Sequence, residues 1–199
     1  MIYEPSCEEE RQYLENYDPN KYAKPSVTVD FIVHIKGEGI LLIKRKNYPY
    51  KGRWALPGGF LDVGKENTLQ AALRELKEET SLDIPADNIK LEGVYSDPDR
   101  DPRDHVVSVV YSVELDTSYI GKVKPADDAV EAKFFAINRG PVYVGRDKIL
   151  AFDHDTILAN YINKNCKCRP SITDPIVRTK RRPNLDILYK NDPPITKEL

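Results

Sequence analysis

The sequence predicts an α/β fold, a mixed sheet covered by helices, and three observations carry that expectation. Residues 26–35 (SVTVDFIVHI) and 105–115 (HVVSVVYSVEL) are dense in β-branched side chains, as strands are. Residues 67–80 repeat apolar side chains at helical spacing. The elements run strand-strand-strand-helix-strand-strand-strand-helix, an order of the α+β or α/β kind.

Each element has a local cause. Residues 1–24 are polar, rich in Tyr, Glu and Pro, and read as an irregular lead-in. After strand 26–35, Lys36-Gly37-Glu38-Gly39 is a turn and 40–44 a returning strand, so the two form a hairpin. Residues 47–53 are a loop, and 54–56 a short strand that stops at Pro57-Gly58-Gly59. Helix 67–80 follows, then strand 88–95 and an Asp/Pro/Arg-rich loop at 96–104. Strand 105–115 is expected to be central in the sheet. A strand within 129–137 and a helix over 152–163 complete the domain, expected over 25–163. From 164 to 199 Pro alternates with basic residues, which reads as a tail.

A chain of 199 residues suits one domain of ordinary size. Its net charge of -2 gives no global reason to expect nucleic acid or an anionic membrane as partner. No apolar run approaches the roughly 20 residues that span a bilayer, and the acidic N-terminus lacks the apolar core of a secretory signal. Three cysteines, an odd number poorly placed for a disulfide framework, point to a reducing compartment, by default the cytoplasm.

Candidate chemistry concentrates on helix 67–80. At about 100° per residue, Leu69, Ala72, Leu73 and Leu76 form an apolar stripe, with Glu75 and Glu79 together at its edge. Two shielded, rigidly held carboxylates suit a hard cation such as Mg²⁺, whose shell is completed by waters and substrate phosphates. Arg74, four residues before Glu78, is placed to hold it ionised and oriented. Such charged runs also occur on solvated helices, where each pair adds only a few tenths of a kcal/mol. The glycines ahead of the helix favour the first reading, because they let backbone groups approach a metal or phosphate closely.

The stretch PGGFLDVGKENTLQAALRELKEETSL resembles the signature of the Nudix hydrolases: a Gly, then a Glu, then REUxEExGU with U aliphatic. The resemblance implies a Nudix-type α/β/α sandwich with a mixed sheet. It also implies that Glu75 and Glu79 are the principal ligands of Mg²⁺ (or Mn²⁺), Glu78 an accessory ligand or base, and the Gly59 carbonyl a further ligand. Two positions depart from the pattern. Six residues, not five, separate Gly59 from Glu66, with Lys65 as the apparent extra, and Ser81 stands where the family closes with Gly. A left-handed Ser costs roughly 1 kcal/mol, so the helix end is where a difference is expected.

Further segments (SVTVDFIVHI, YKGRWALPGGF, SDPDRDPRDHVVSVVY, DDAVEAKFFAI, LAFDHDTIL) resemble the ADP-ribose pyrophosphatase branch of that family, as does Pro98 sixteen positions after Leu82. The resemblance implies hydrolysis of ADP-ribose to AMP and ribose 5-phosphate by metal-assisted attack of water. It also implies a homodimer, with the Tyr-rich N-terminal segment as candidate interface. Candidate substrate-binding residues are Arg53, Trp54, Arg100 and Arg103. The arginine forks suit phosphate or ribose oxygens, although Arg100-Asp101 and Arg103-Asp104 could equally neutralise each other. Trp54 and Tyr50 could stack on adenine, and a lone Trp beside a strand also suits the core. Asp128, with Asp127 and Glu131 nearby, is the candidate base, unless these acids simply face solvent.

Other features are read as structural. His34, His105 and His154 keep no metal-ligand spacing and are expected on strand or helix surfaces. Cys166-Lys167-Cys168 lacks the second ligand pair that zinc needs, and the basic tail is expected to be solvated or to wrap a partner subunit. Alternatives are an oxidised nucleoside triphosphate or another nucleotide sugar as substrate, or a non-catalytic ADP-ribose sensor.

Overall fold

The computed structural model describes residues 3–136 and 150–165. Seven strands form one mixed sheet. In chain order they are β1 (Ser26–Ile35), β2 (Gly39–Arg45), β3 (Trp54–Ala55), β4 (Gly58–Phe60), β5 (Lys90–Tyr95), β6 (Val106–Leu115) and β7 (Ala129–Phe135). The main path is β3-β2-β1-β6-β5, with β4 added to β1 and β7 to β2. Strands β1 and β6 run parallel in unbroken register from Ser26↔Val106 to Ile35↔Leu115. The other pairings are antiparallel, including the expected hairpin, where His34 faces Ile40.

Strand β1 is the spine. Its alternate side chains Val29, Phe31 and Val33 pack with Ala72 and Leu76 of α2 (Thr68–Thr80) on one face. On the other face Ile32 packs with Ile157, Leu158 and Tyr161 of α3 (His154–Asn165). Both faces are covered, which is why the strand reads as one apolar run, and the result is the expected α/β/α sandwich.

Two elements were not foreseen. Helix α1 (Glu8–Glu15) lies in the segment read as irregular; it buries no residue and so shows no apolar stripe in the sequence. Strand β4 is Gly-Gly-Phe, without strand propensity of its own, and exists because Val29 and its neighbours pair with it. A 3₁₀ turn (Thr117–Lys122) also follows β6.

The buried face of α2 is turned from the expected stripe. Ala71, Ala72, Leu76, Glu79 and Thr80 are buried, while Leu69 and Leu73 are only half-buried. Small alanines let the helix approach β1 and β4 and carry Glu79 inside. The helix starts with a reciprocal cap in which the Asn67 side chain accepts from the Gln70 amide (3.0 Å) and the Gln70 side chain accepts from the Asn67 amide (2.9 Å). It ends at Ser81, whose φ of 59° is the left-handed conformation of the family's Gly, so the difference expected there does not arise. Helix α3 continues to Asn165, two residues past the expected domain boundary at 163. Cys166, Cys168 and the rest of the basic tail lie outside the described residues.

Candidate active site

The turn from β3 into β4 brings backbone against α2, and there the glutamates meet the sheet. The Gly58 amide donates to Glu79 Oε2 at 2.8 Å. A side chain at Gly58 would place its Cβ 2.1 Å from the Val29 carbonyl, and one at Gly59 would fall 2.4 Å from Glu75 Oε1. Both glycines are therefore demanded by close approach.

Glu79 is 5% exposed. Burial, with the nearby Glu75 carboxylate adding to it, pushes its pKa up to about 8 despite the opposing Gly58 amide. Glu75 is also raised, by burial first, against the pull of Arg74. Two carboxyls that resist ionisation side by side are a seat for positive charge.

Arg74 organises the rest. It holds Glu66 in a two-pronged pair (2.7 and 3.0 Å), Glu75 Oε1 at 2.7 Å, Glu78 Oε2 at 3.0 Å and the Phe60 carbonyl at 3.0 Å. Glu66 also accepts the Asp62 amide at 2.9 Å, and Arg74 holds its carboxyl below the ordinary range. The uncertain Glu of the motif is thus the fastener between loop and helix. The extra Lys65 sits in an exposed turn against Asp62 (3.3 Å), which leaves the Glu66–Arg74 spacing intact. Glu78 is more exposed than the other two glutamates, at 44% of its side chain.

A cleft of about 330 Å³ is lined by Glu75 and Glu79 together with Arg45, Arg100, Arg103 and Asp128. Neither loop arginine makes its ion pair with the Asp that directly follows it. Arg100 is buried and makes a two-pronged pair with Asp153 (2.7 and 3.0 Å). Arg103 pairs with Asp101 rather than Asp104 (2.7 and 3.0 Å), and its guanidinium lies 4.8 Å from the Phe60 ring centre and 5.8 Å from that of Phe152. Asp128 accepts from the Asn47 side chain at 2.9 Å.

Trp54, a candidate for substrate stacking that equally suited the core, is core. It is 4% exposed and packs edge-on to Phe135 at 4.6 Å. Arg53 stacks on Tyr50 at 5.0 Å and is not among the residues that line the cleft. His154 is a second correction, because it is buried rather than on a helix surface: its Nδ1 accepts the Leu56 amide at 2.9 Å and its Nε2 faces Asp30 at 3.3 Å. Burial pushes the Asp30 carboxyl up, but His154, Ser108 and Arg100 outweigh it and hold it below the usual range. Asp30 and Arg45 had a sequence signal that went unused, the lone carboxylate of one largely apolar strand and the guanidinium that ends another. His154 had none, since its partners are remote in sequence.

Among the described residues no three His, Cys, Asp or Glu side chains form a ready-made metal cage. The donors still suit a hard cation, because Mg²⁺ takes one or two carboxylates and keeps waters and phosphates for the rest. Glu75 and Glu79 could supply those carboxylates, and Arg74 holds the first of them.

An α/β/α sandwich with paired helix carboxylates beside a Gly-Gly strand, and arginines lining the same cleft, has the donors to hold a divalent cation and a phosphate group together. The chain belongs to the NUDIX domain family, whose model matches residues 24–158, and it is a Nudix hydrolase. It is 49% identical over 141 residues to the ADP-ribose pyrophosphatase of Methanocaldococcus jannaschii, covering 71% of this chain and 75% of that protein. The structure of a MutT/nudix family protein from Enterococcus faecalis is similar at TM-score 0.68 and 32% identity, covering 80% of this chain and 69% of the other. So is the NUDIX domain of Shewanella oneidensis NrtR complexed with ADP ribose, at TM-score 0.66 and 28% identity, covering 78% and 97%.

Proposed function

We propose that this Nudix hydrolase cleaves the diphosphate of ADP-ribose, adding water across the P–O–P bridge to give AMP and ribose 5-phosphate. The observation that carries the reading is the Glu75–Glu79 pair packed against Gly58-Gly59 in a cleft that Arg45, Arg100 and Arg103 also line. The likeness to an ADP-ribose pyrophosphatase over most of both chains supports the substrate.

Glu75, Glu79 and the Gly59 carbonyl would hold Mg²⁺, or Mn²⁺ in its place. When bound, the ion neutralises diphosphate charge and makes a water acidic enough to act as nucleophile near neutral pH. Arg74 fixes Glu75 and Glu78 in place. Glu78 or Asp128 takes the proton of the attacking water. Arg103, held flat by Asp101 and two phenyl rings, presents its open side to a phosphate or ribose oxygen. Arg100, committed to Asp153, acts by shaping the wall. A cytoplasmic setting and a homodimer through the Tyr-rich N-terminal segment belong to the same reading.

A side-by-side hydrolysis panel tests the assignment, with ADP-ribose, an oxidised nucleoside triphosphate and a second nucleotide sugar, each with Mg²⁺ and Mn²⁺. ADP-ribose is expected to give the highest kcat/KM with equimolar AMP and ribose 5-phosphate. Faster turnover of either competitor would reassign the substrate, and binding of ADP-ribose without metal-dependent turnover would point to a sensor.

A further inference from the structure

The segment 54–59 carries the backbone half of the metal seat, and strand pairing leaves a gap in its middle, at Leu56 and Pro57. Strand β3 pairs with β2 only at Trp54 and Ala55. Strand β4 pairs with β1 at Gly58 and Gly59, and further hydrogen bonds hold the stretch between and around the two ladders. The Ala151 amide donates to the Trp54 carbonyl (2.8 Å), and the Phe31 amide to the Pro57 carbonyl (2.8 Å). The Leu56 amide donates to His154 Nδ1 (2.9 Å), and the Gly58 amide to Glu79 Oε2 (2.8 Å). The turn is thus gripped from α3 at Leu56 and from α2 at Gly58.

The grip from α3 is itself built. Because Nδ1 accepts the Leu56 amide, the ring proton lies on Nε2, facing Asp30 Oδ1 at 3.3 Å. Asp30 in turn accepts from the Ser108 hydroxyl and stands 3.8 Å from Arg100, whose guanidinium is fastened to Asp153 one residue before α3. All of Asp30, Ser108, Arg100 and His154 are buried. Such a set costs desolvation that an apolar cluster would not, and its output is one hydrogen-bond acceptor fixed under the turn.

We propose that His154, oriented by Asp30, is a positioning residue. It locks the Leu56 amide, and so holds the Gly58 amide on Glu79 and the Gly59 carbonyl in place for a divalent cation. The inference rests on the metal-dependent reading of the site, and its test separates the two.

His154→Asn puts an amide oxygen where Nδ1 stands and keeps the acceptor. His154→Gln reaches toward Asp30 and loses it. Amide hydrogen exchange by NMR on metal-free protein is read at Leu56 and Gly58, Mn²⁺ binding by electron paramagnetic resonance, and kinetics with Mg²⁺. His154→Gln is expected to exchange faster at Leu56 and Gly58, to bind Mn²⁺ about 10- to 100-fold more weakly, and to lose kcat while substrate KM stays within about twofold. His154→Asn is expected to recover most of each loss. Where His154→Gln does not fold, Asp30→Asn frees the ring to turn and is expected to move the same readouts. The proposal is overturned if folded variants keep wild-type exchange and Mn²⁺ affinity, or if His154→Asn is as impaired as His154→Gln. Absence of Mn²⁺ binding in the wild type would instead overturn the metal-dependent reading itself.

Discussion

Glu79 sits where a carboxyl is least at ease without a cation, buried beside a second carboxyl and satisfied by one backbone amide. Replacement by Gln keeps the shape and an acceptor for Gly58 while removing the charge a cation requires. Glu79→Gln is expected to leave the fold intact and to lower Mg²⁺-dependent hydrolysis by more than about 100-fold, beyond the usual loss for a residue that merely orients a ligand. Full activity in a steady-state assay would remove Glu79 from the site. The same carboxyl gives a pH signature. In the folded, metal-free protein it keeps its proton to about pH 8, whereas an unfolded chain releases it near 4.5. Its contribution to stability is full below about pH 4.5 and is lost as pH rises through about 8. A cation displaces that proton, so Mn²⁺ binding at pH 7 is expected to release about one proton and to tighten as pH climbs to about 8. Titration calorimetry in two buffers of different ionisation heat reads the proton directly, and zero release would contradict the assignment.

At the scale of elements, the two glycines of β4 separate folding from function. A Cβ at Gly58 meets a backbone carbonyl of β1, which cannot move without breaking the pairing. Gly58→Ala is expected to cost about 1–3 kcal/mol, measured by denaturant unfolding. A Cβ at Gly59 meets only the tip of Glu75, which can swing away. Gly59→Ala is expected to unfold within about 1 kcal/mol of wild type yet lose most of its activity, because the displaced carboxylate leaves the site. Equal stability losses in the two variants would refute this division. It also marks what the sequence could disclose. Strands β1 and β6 were legible because β-branched runs favour pleated backbone wherever they lie, and Glu75 and Glu79 because four-residue spacing fixes a helix face. Strand β4 and helix α1 were not legible. One borrows its conformation from β1, and the other buries nothing that would leave a periodic mark. Trp54 was ambiguous for a related reason, since a single aromatic at a strand end fits core and ligand equally until Phe135 is seen against it. The partners of Arg100 and His154 could not be read at all, because Asp153 and Asp30 reach them only through the closed fold.

Across the whole molecule, the cleft draws on β1, β4, α2, the 96–104 loop and the start of α3. A ligand that bridges so many elements stabilises them together. At 100 times its dissociation constant a cation adds about 2.7 kcal/mol, which for a chain of this size raises Tm by roughly 5–10 °C. Scanning calorimetry with Mg²⁺ and with chelator is expected to show that shift, and Glu79→Gln to abolish most of it. No helix among the described residues is long and apolar enough to cross a membrane.

The parallel pairing of β1 with β6 has a consequence in time rather than space. Ser26 finds Val106 only after everything between them has been made and folded back, and such distant contacts close slowly. Helix α2 can form early from its own cap and propensity, but Asp30 meets Ser108 only when that pairing is complete, and His154 only when α3 has docked. A chain still emerging from the ribosome therefore carries Glu75, Glu79 and Arg74 before the buried contacts of Asp30 with Ser108 and His154 can form.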